Sequence, residues 1–373
     1  MSNVDERGPG LARLTRAQQQ ERTRAAVLTA AREEFTEHGY VDAKVDRIAE
    51  RAELTRGAVY SNFPSKRALY LAVLVDLVER STVEAVASAS PASTGEALGA
   101  FARVWLERLP LTDDTPATGH LRLRSLSGVL DDGPVRVALA QLIRLEALLL
   151  AFALESHPPQ RPGPVRRVRM AELVLTLLTG SGGFAETAPG FGDLFDVARV
   201  CEHLAGVDLT DVWNPPYLPY VSPAQPSDET WTTPIELPDQ LTGRRVDLAA
   251  DGVIAVLGTS RLAAAEEAVR AARPGDRVTV VVVTSDPAEI GRLVRLRVDD
   301  FTGCLRRVFT TDAWPPLRLV LDDRAVVAAA LRLADAGDAT EAAVRIHDGT
   351  IVARAEGRGA AYAAATADLP DSA

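Results

Sequence analysis

The chain has 373 residues, a formal net charge of −10 and two cysteines. Its length predicts two or three domains, and its acidic balance excludes a protein that coats nucleic acid nonspecifically. The two cysteines, Cys201 and Cys304, exclude a disulfide framework, a Cys-x-x-Cys redox motif and a cysteine zinc site. Because no run of ~20 uninterrupted apolar residues occurs and the first residues are polar, we expect a soluble, cytoplasmic protein without a membrane partner.

The first predicted element is a basic arm, residues 1–22, which could reach a minor groove or a phosphate backbone. The arginines in and just after it are Arg7, Arg13, Arg16, Arg22 and Arg24. For the first two of these, a solvated tail without a DNA contact is an equal alternative. Within the arm, Thr15 to Gln18 fits a capping box that starts a long first helix, and Gly39 is a natural left-handed stop for that helix.

Residues 23–88 are predicted to form a helix-turn-helix domain. Residues 48–52 fit a short helix with an apolar face, Glu53-Leu54 makes a tight turn, and Thr55 caps a second short helix. Two short helices joined this tightly must cross steeply, which is helix-turn-helix geometry. The first helix covers the pair with its apolar face, and a fourth helix from Lys66 to about Ser88 lies behind them.

Many residues of this segment follow one familiar order. They are Ala30-Ala31, Phe35, Gly39-Tyr40, Ile48-Ala49, Ala52, Arg56-Gly57-Ala58-Val59-Tyr60, Phe63, Ser65-Lys66 and Leu69. With them the chain resembles the TetR (tetracycline-repressor) family of bacterial transcriptional regulators. The closing block Tyr-x-x-Phe-x-Ser-Lys makes the resemblance specific. It implies a regulator that binds a palindromic double-stranded DNA operator as a homodimer and responds to a small-molecule effector, more often as a repressor than as an activator.

The predicted DNA-binding residues lie in and beside the second short helix. They are Lys44, Thr55, Arg56, Gly57, Tyr60, Ser61, Asn62 and Lys66. Arg56 is the candidate for a base-edge contact, because a guanidinium can bond bidentately to guanine. Tyr60, Ser61 and Asn62 suit phosphate oxygens, and Gly57 lets the backbone approach the major groove. The only two lysines of the chain are in this set, which either a duplex-facing role or the codon usage of a GC-rich genome explains.

Two positions depart from the family's habit. Ala43-Lys44 stands where relatives usually cap a helix with Thr or Ser, and a lost cap typically costs about 1 kcal/mol. Glu53 stands where the turn usually has Gly, and its carboxylate would repel phosphate. We therefore expect an intact fold with a reduced affinity for DNA.

Residues 92–207 are predicted to form a helical ligand-binding and dimerisation domain. Its predicted helices are Ser93–Leu109, Leu121–Leu130, Val135–Ser156, Val165–Thr179 and Phe191–Leu204. The resemblance implies that the last two make a dimer seam, with Leu173, Leu177, Leu178, Leu194, Val197 and Leu204. Periodicity allows the alternative that these side chains belong to an intramolecular core.

A ligand pocket, if present, would lie between the middle helices of this domain. Its predicted lining is Phe101, Trp105, Leu126, Leu145 and Phe152, with His120 and Arg122 as the polar groups that orient a ligand. Apolar residues at helical spacing are more often core than pocket, so each of these positions has a structural alternative. No catalytic partner lies near the two polar residues in sequence, and we assign them no chemistry.

Residues 208–245 are rich in proline and are predicted to form an extended linker, since proline blocks both helices and inner strands. Four aromatic residues are interspersed, namely Trp213, Tyr217, Tyr220 and Trp231. They indicate that the linker docks on a domain.

Residues 246–373 predict an α/β domain. Val253–Leu257 and Val278–Thr284 flank a helix as a βαβ unit. A helix, a strand at Leu317–Leu321, another helix, a hairpin across Asp348-Gly349 and a last helix follow. This order resembles the thioredoxin-like fold. Ser260 and Ala263 then occupy the positions of the redox cysteines, so the resemblance implies a redox-inactive domain without a cofactor.

The other candidate binding sites in this domain each have a purely structural alternative. The turn from Leu257 to Ser260 could offer backbone amides to an anion, but it lacks the spacing of a phosphate-binding loop. Asp299-Asp300 and Asp322-Asp323 could hold a metal, although adjacent acids at helix starts are more often caps. No nucleophile or histidine cluster has credible catalytic spacing, so we do not expect an enzyme.

The sequence thus predicts a multi-domain protein in which an all-α helix-turn-helix domain and a helical bundle precede an α/β domain. The first hypothesis is a ligand-responsive, homodimeric transcriptional regulator, with repression favoured. The alternative is a DNA-targeted protein whose last domain is a protein-docking or small-molecule-binding module.

Overall fold

The computed structural model describes residues 15–82, 91–109, 129, 132–156, 166–188, 190–209, 211–233, 236–310, 314 and 317–368. The predicted ligand-orienting residues His120 and Arg122 and the pocket residue Leu126 lie outside the described residues. So do Arg7 and Arg13 of the predicted arm.

Four helices form the amino-terminal head: α1 (Arg16–Asp42), α2 (Val45–Arg51), α3 (Arg56–Asn62) and α4 (Lys66–Thr82). The predicted capping box is present, because the Thr15 hydroxyl accepts from Gln18 N while the Gln18 side chain accepts from Thr15 N. Residues 16–22 of the predicted basic arm belong to α1, which starts where the capping box predicted it. Gly39 adopts a positive φ of 68°, and α1 kinks there and continues to Asp42.

The next four helices form the bundle: α5 (Thr94–Leu106), α6 (Gly133–Glu155), α7 (Val168–Thr187) and α8 (Leu194–Leu204). Helix α5 packs closely on α8, and a Cβ added at Gly95 would lie 3.0 Å from the Glu202 carbonyl oxygen. Helix α6 is long and apolar enough to cross a membrane, but most of its apolar stretch is buried in this core. Helix α7 runs past the predicted end at Thr179, through three glycines that each cost only about 1 kcal/mol in a helix.

The segment that was predicted as a linker contributes to the last domain. A single 3₁₀ turn at Leu218–Tyr220 precedes strand β1 (Gln225–Thr230), which pairs antiparallel with β6. Trp231 is buried, and its indole Nε1 donates to Leu248 O at 2.9 Å. The linker assignment of residues 225–230 was wrong, because pairing with a sheet edge overrides their polar composition. The expected docking of the segment is observed.

The carboxy-terminal domain is a mixed six-stranded sheet flanked by helices. After β1 its elements are β2 (Gly252–Gly258), α9 (Ala264–Ala271), β3 (Arg277–Val283), α10 (Ile290–Val308), β4 (Leu317–Leu321), α11 (Val326–Ala330), β5 (Glu341–His347), β6 (Thr350–Glu356) and α12 (Ala360–Thr366). The strand order is β1-β6-β5-β2-β3-β4; β3 pairs parallel with β2 and with β4, and the other neighbours in this order pair antiparallel. The hairpin turn is Asp348-Gly349, and both residues have positive φ.

Alternate residues of β2 enter two different cores. Val253, Ala255 and Leu257 belong to the same buried cluster as the head and the bundle, whereas Ile254 and Val256 face a smaller cluster that includes Trp231. Helix α10 joins the larger cluster and packs against α4, α5 and α6. The carboxy-terminal domain therefore shares a hydrophobic core with the helices that precede it.

Candidate nucleic-acid interface

A compact core positions the three helices of the helix-turn-helix. Val27, Phe35, Ile48 and Val59 are buried there. Phe35 packs edge-on against Tyr70 of α4, with ring centroids 4.9 Å apart. These buried apolar side chains fix α3 on the surface of the head.

A buried carboxylate replaces the missing cap of α2. Lys44 is the N-cap residue, and its side chain makes no capping bond, as the sequence suggested. Instead Glu34 of α1 accepts from Lys44 N at 2.9 Å and from Arg47 Nε at 2.7 Å. Burial raises the pKa of Glu34, but these hydrogen bonds outweigh it and hold the pKa below its ordinary value. No local pattern of residues predicts this contact, because α1 and α2 meet only in the folded head.

The turn between α2 and α3 carries backbone strain at Glu53. Its φ is 55°, in the left-handed region that costs a non-glycine residue roughly 1–2 kcal/mol. Leu54 N donates to Ala49 O at 2.9 Å and closes the turn. The position that usually holds Gly thus keeps glycine-like backbone geometry, and the exposed Glu53 carboxylate lies in the turn that leads into α3.

Helix α3 begins as predicted. The Thr55 hydroxyl accepts from Ala58 N at 3.2 Å, which satisfies one of the free amides of the first turn. Arg56, Gly57, Tyr60 and Ser61 of this short helix are exposed. A Cβ at Gly57 would meet only the Thr55 hydroxyl, at 3.9 Å, so the fold itself does not require glycine at this position.

The Arg56 side chain contacts two other side chains of the head. Its Nη1 lies 3.3 Å from Asp46 Oδ1, and its guanidinium lies over the Tyr60 ring, 5.5 Å from the ring centroid. Both members of the ion pair are well exposed, so the pair contributes little to stability. Asp46 therefore acts on the orientation of Arg56, and sequence reasoning missed it because the two residues lie on different helices.

The remaining predicted residues bond within the head. Ser61 Oγ and Asn62 Nδ2 each donate to Ala58 O at 2.9 Å. Lys66 Nζ donates to Val41 O at 3.0 Å and lies 5.0 Å from the centroid of the Tyr40 ring. Burial lowers the pKa of Lys66, against the pull of nearby carboxylates. Lys44 is exposed. The DNA contacts of these four residues stay predictions.

Comparison with known proteins agrees with this geometry over the head. Residues 27–73, from the middle of α1 into α4, match the model of the family described as bacterial regulatory proteins, tetR family. The head is therefore similar to the helix-turn-helix domain of that family. The match leaves the rest of the chain unassigned.

Curated relatives match the same TetR-type domain. Over 64 residues, the chain is 45% identical to the HTH-type transcriptional regulator SrpR of Pseudomonas putida. This match covers 17% of this chain and 30% of SrpR. It is 47% identical over 51 residues to the HTH-type transcriptional activator FasR of Mycolicibacterium smegmatis, covering 14% of this chain and 23% of FasR. The chain thus spans less than a third of the length of these two relatives.

One solved structure aligns with about half of this chain. NalD, the secondary repressor of the MexAB-OprM multidrug efflux pump in Pseudomonas aeruginosa, is 21% identical and aligns over 52% of this chain and 100% of NalD, with a TM-score of 0.33.

The predicted ligand pocket is packed where the structure describes it. Phe101 and Trp105 are buried, and the ring of Phe301 from α10 lies against both, with centroids 5.7 and 6.1 Å away. Phe152 is also buried and lies under the Arg166 guanidinium, 4.9 Å from its centre. An aromatic side chain of the carboxy-terminal domain therefore occupies the space that a ligand between Phe101 and Trp105 would need.

The other candidate sites of the carboxy-terminal domain are filled by internal bonds. Ser260 N, one of the amides of the predicted anion site, donates to Asp338 O at 2.9 Å. Asp322 accepts from Val326 N and Val327 N, both at 2.8 Å, and so acts as the helix cap that was the alternative to a metal ligand. Asp300 pairs with Arg108 of the bundle segment.

Proposed function

We propose that the chain is a DNA-binding transcriptional regulator that places α3 in the major groove of an operator. The observation that carries the proposal is the exposed polar surface of α3, with Arg56 oriented by Asp46 and Tyr60 inside a TetR-type domain. Arg56 contacts a base edge, while Tyr60 and Ser61 contact phosphates and set the register.

We infer that the regulator is a homodimer and that α7 and α8 form its seam. Large apolar side chains are exposed along these helices and the loop between them, namely Leu173, Phe184, Phe191, Phe195 and Val200. The Phe184 and Phe191 rings lie 5.6 Å apart and extend one apolar patch. Of the leucines predicted for the seam, Leu178 is instead fully buried within its own protomer. A second copy of this chain is the partner that covers such a patch.

Two copies related by a twofold axis present two α3 helices to successive major grooves. Dimeric helix-turn-helix proteins read half-sites about one helical turn apart, so the operator of this protein is a palindrome with that spacing. Occupation of an operator that overlaps a promoter represses transcription, and repression is the direction that we propose. We place the protein in the cytoplasm, where its operator lies.

The dimer is tested by Phe195→Glu, which puts a charge on a side chain that is 76% exposed. We expect a monomer in light scattering and a loss of cooperative operator binding. Tyr220→Glu is the matched control, because Tyr220 is 86% exposed but lies on the segment before β1. If Phe195→Glu remains a dimer while Tyr220→Glu dissociates, the seam is misplaced.

DNA binding itself is tested by selecting duplexes from a random library with the full-length protein. Affinity for the selected duplex should fall linearly with the logarithm of salt concentration, because phosphate contacts release counterions. Arg56→Ala should weaken binding by about 1–3 kcal/mol and relax the preference at one base pair. Arg80→Ala is the control, since Arg80 is similarly exposed and ion-paired but lies far along α4. Failure to select any duplex refutes the proposed function.

For the carboxy-terminal domain we propose a thioredoxin-like arrangement without redox chemistry. The parallel β2-α9-β3 unit, the antiparallel hairpin β5-β6 and the final helix support it. Ser260 and Ala263 offer no thiol where that fold has its cysteines. The role of the domain must then be sought in what it contacts.

A further inference from the structure

Helix α10 belongs to the sheet of the carboxy-terminal domain by its connections, since it joins β3 to β4. However, α10 packs against helices of the head and of the bundle. It lies against α4, α5 and α6, and Phe301, which is 1% exposed, packs against both Phe101 and Trp105. A helix of one domain is thus inserted into the cleft of another.

Polar contacts hold the insertion in a single register. Arg297 of α10 forms a bidentate pair with Glu146 of α6, at 3.1 and 2.7 Å, and both side chains are largely buried. Trp314 Nε1 donates to Leu149 O of α6 at 3.0 Å. Directional bonds at buried positions cost free energy when broken, so α10 cannot slide along the bundle without losing them.

The amino-terminal end of α10 reaches the TetR-type head. Glu289, which precedes α10, accepts from Ser65 Oγ and from the Arg67 guanidinium at the start of α4. Arg292 donates to Ala68 O at 2.9 Å, and its guanidinium lies 5.3 Å from the centroid of the Phe63 ring. Phe63 is the C-cap residue of α3. The carboxy-terminal domain therefore contacts the junction between α3 and α4.

We propose that the carboxy-terminal domain is a built-in effector of this regulator: α10 permanently fills the cleft between α4, α5 and α6 and fixes the head in the position that binds DNA. The inference rests on the proposed function. Among the described residues, the contacts of Glu289 and Arg292 do not involve the exposed side of α3, so they leave Arg56 and Tyr60 accessible to a duplex. A head held in one position loses less conformational freedom when both copies dock on an operator.

The decisive variant is Glu289→Ala, which removes the bonds to Ser65 and Arg67 and leaves the side chains of α3 untouched. We expect its Kd for the selected operator to rise about tenfold, within the range typical of coupling between sites. Amide hydrogen exchange of residues 66–74 should become faster in the free protein.

The matched control is Glu229→Ala. Glu229 is also a carboxylate bonded to arginines, Arg332 and Arg354 at 2.7 Å each, but all of these residues lie within the carboxy-terminal domain. Glu229→Ala should leave the Kd for the operator and the amide hydrogen exchange of residues 66–74 unchanged. Circular dichroism and urea unfolding establish that both variants are folded.

Unchanged or tighter operator binding by Glu289→Ala overturns the inference, because the contact would then not favour the binding position. The hydrogen-exchange readout needs no DNA. If the wild-type protein selects no duplex, the proposed function fails. If the amide hydrogen exchange of residues 66–74 is unaltered in Glu289→Ala, the contact with Glu289 does not stabilise α4.

Discussion

Phe301 of the carboxy-terminal domain lies edge-on against Phe101 of the bundle, with ring centroids 5.7 Å apart and ring planes inclined by 66°. Edge-to-face aromatic pairs add about 0.5–1.5 kcal/mol to the free energy gained by burial. Since both rings are buried, the bundle and the carboxy-terminal domain each complete the core of the other. Their unfolding should therefore be coupled.

Truncation of Phe301 tests this coupling. Phe301→Ala leaves a cavity in a shared core and should lower the free energy of unfolding by about 3–5 kcal/mol. Urea unfolding followed by tryptophan fluorescence and by far-ultraviolet circular dichroism should give one coincident transition. Tyr220→Ala removes an aromatic ring that is 86% exposed and should cost far less. Two separate transitions in the wild-type protein would contradict a shared core.

The buried pair Arg297–Glu146 gives a second test of the same interface. Arg297→Met leaves the Glu146 carboxylate without this partner in a low-dielectric site and should cost about 3–5 kcal/mol. Adding Glu146→Leu should restore much of the loss, since two apolar side chains of similar volume replace two charges. A double-mutant cycle in urea measures the coupling free energy between the two positions. Simple additivity of the two single changes would mean that the pair is not coupled.

Local signals in the sequence were sufficient for the head and for most of the sheet. Thr15 and Thr55 cap helices where their side chains were expected to do so. The hairpin turn lies at Asp348-Gly349, and β4 has its predicted bounds. These features depend on residues close together in the chain, so their physical causes can be read from short segments.

Features that depend on distant partners were not accessible in this way. Periodicity predicts that α10 has an apolar face, but it does not say that Phe301 meets Phe101. Strand β1 is polar, carries Pro226 and exists because an edge of the sheet is available to pair with it. Glu34 and Asp46 act across helices, and their roles emerge only once the head has folded.

Asp299 on α10 predicts a pH dependence of stability. Burial raises its pKa to about 6, while Arg295 and Arg306 lower it and Glu79 and Asp323 raise it further. The folded state therefore binds more protons than the unfolded state between the ordinary value of 3.8 and about 6. Stability from this group is fully present below that window and is lost as the pH rises through it.

Asp299→Asn should remove this dependence. The variant should be more stable than the wild-type protein at pH 7, and its free energy of unfolding should change less between pH 4 and pH 6. Asp228→Asn, at an exposed position of β1, is the control for losing one carboxylate. Equal pH profiles for Asp299→Asn and the wild-type protein would show that Asp299 does not govern this window.

Glu53 combines two separable costs, one of backbone strain and one of charge. Glu53→Gly relieves the positive φ of 55° and should raise the free energy of unfolding by about 1 kcal/mol. It also removes a carboxylate beside the reading helix, so operator affinity should increase. Glu53→Gln removes the charge and keeps the strain, and it should improve affinity without improving stability. Thermal unfolding and operator titration of both variants separate the two effects. A less stable Glu53→Gly would mean that the Glu53 side chain itself supports the turn between α2 and α3.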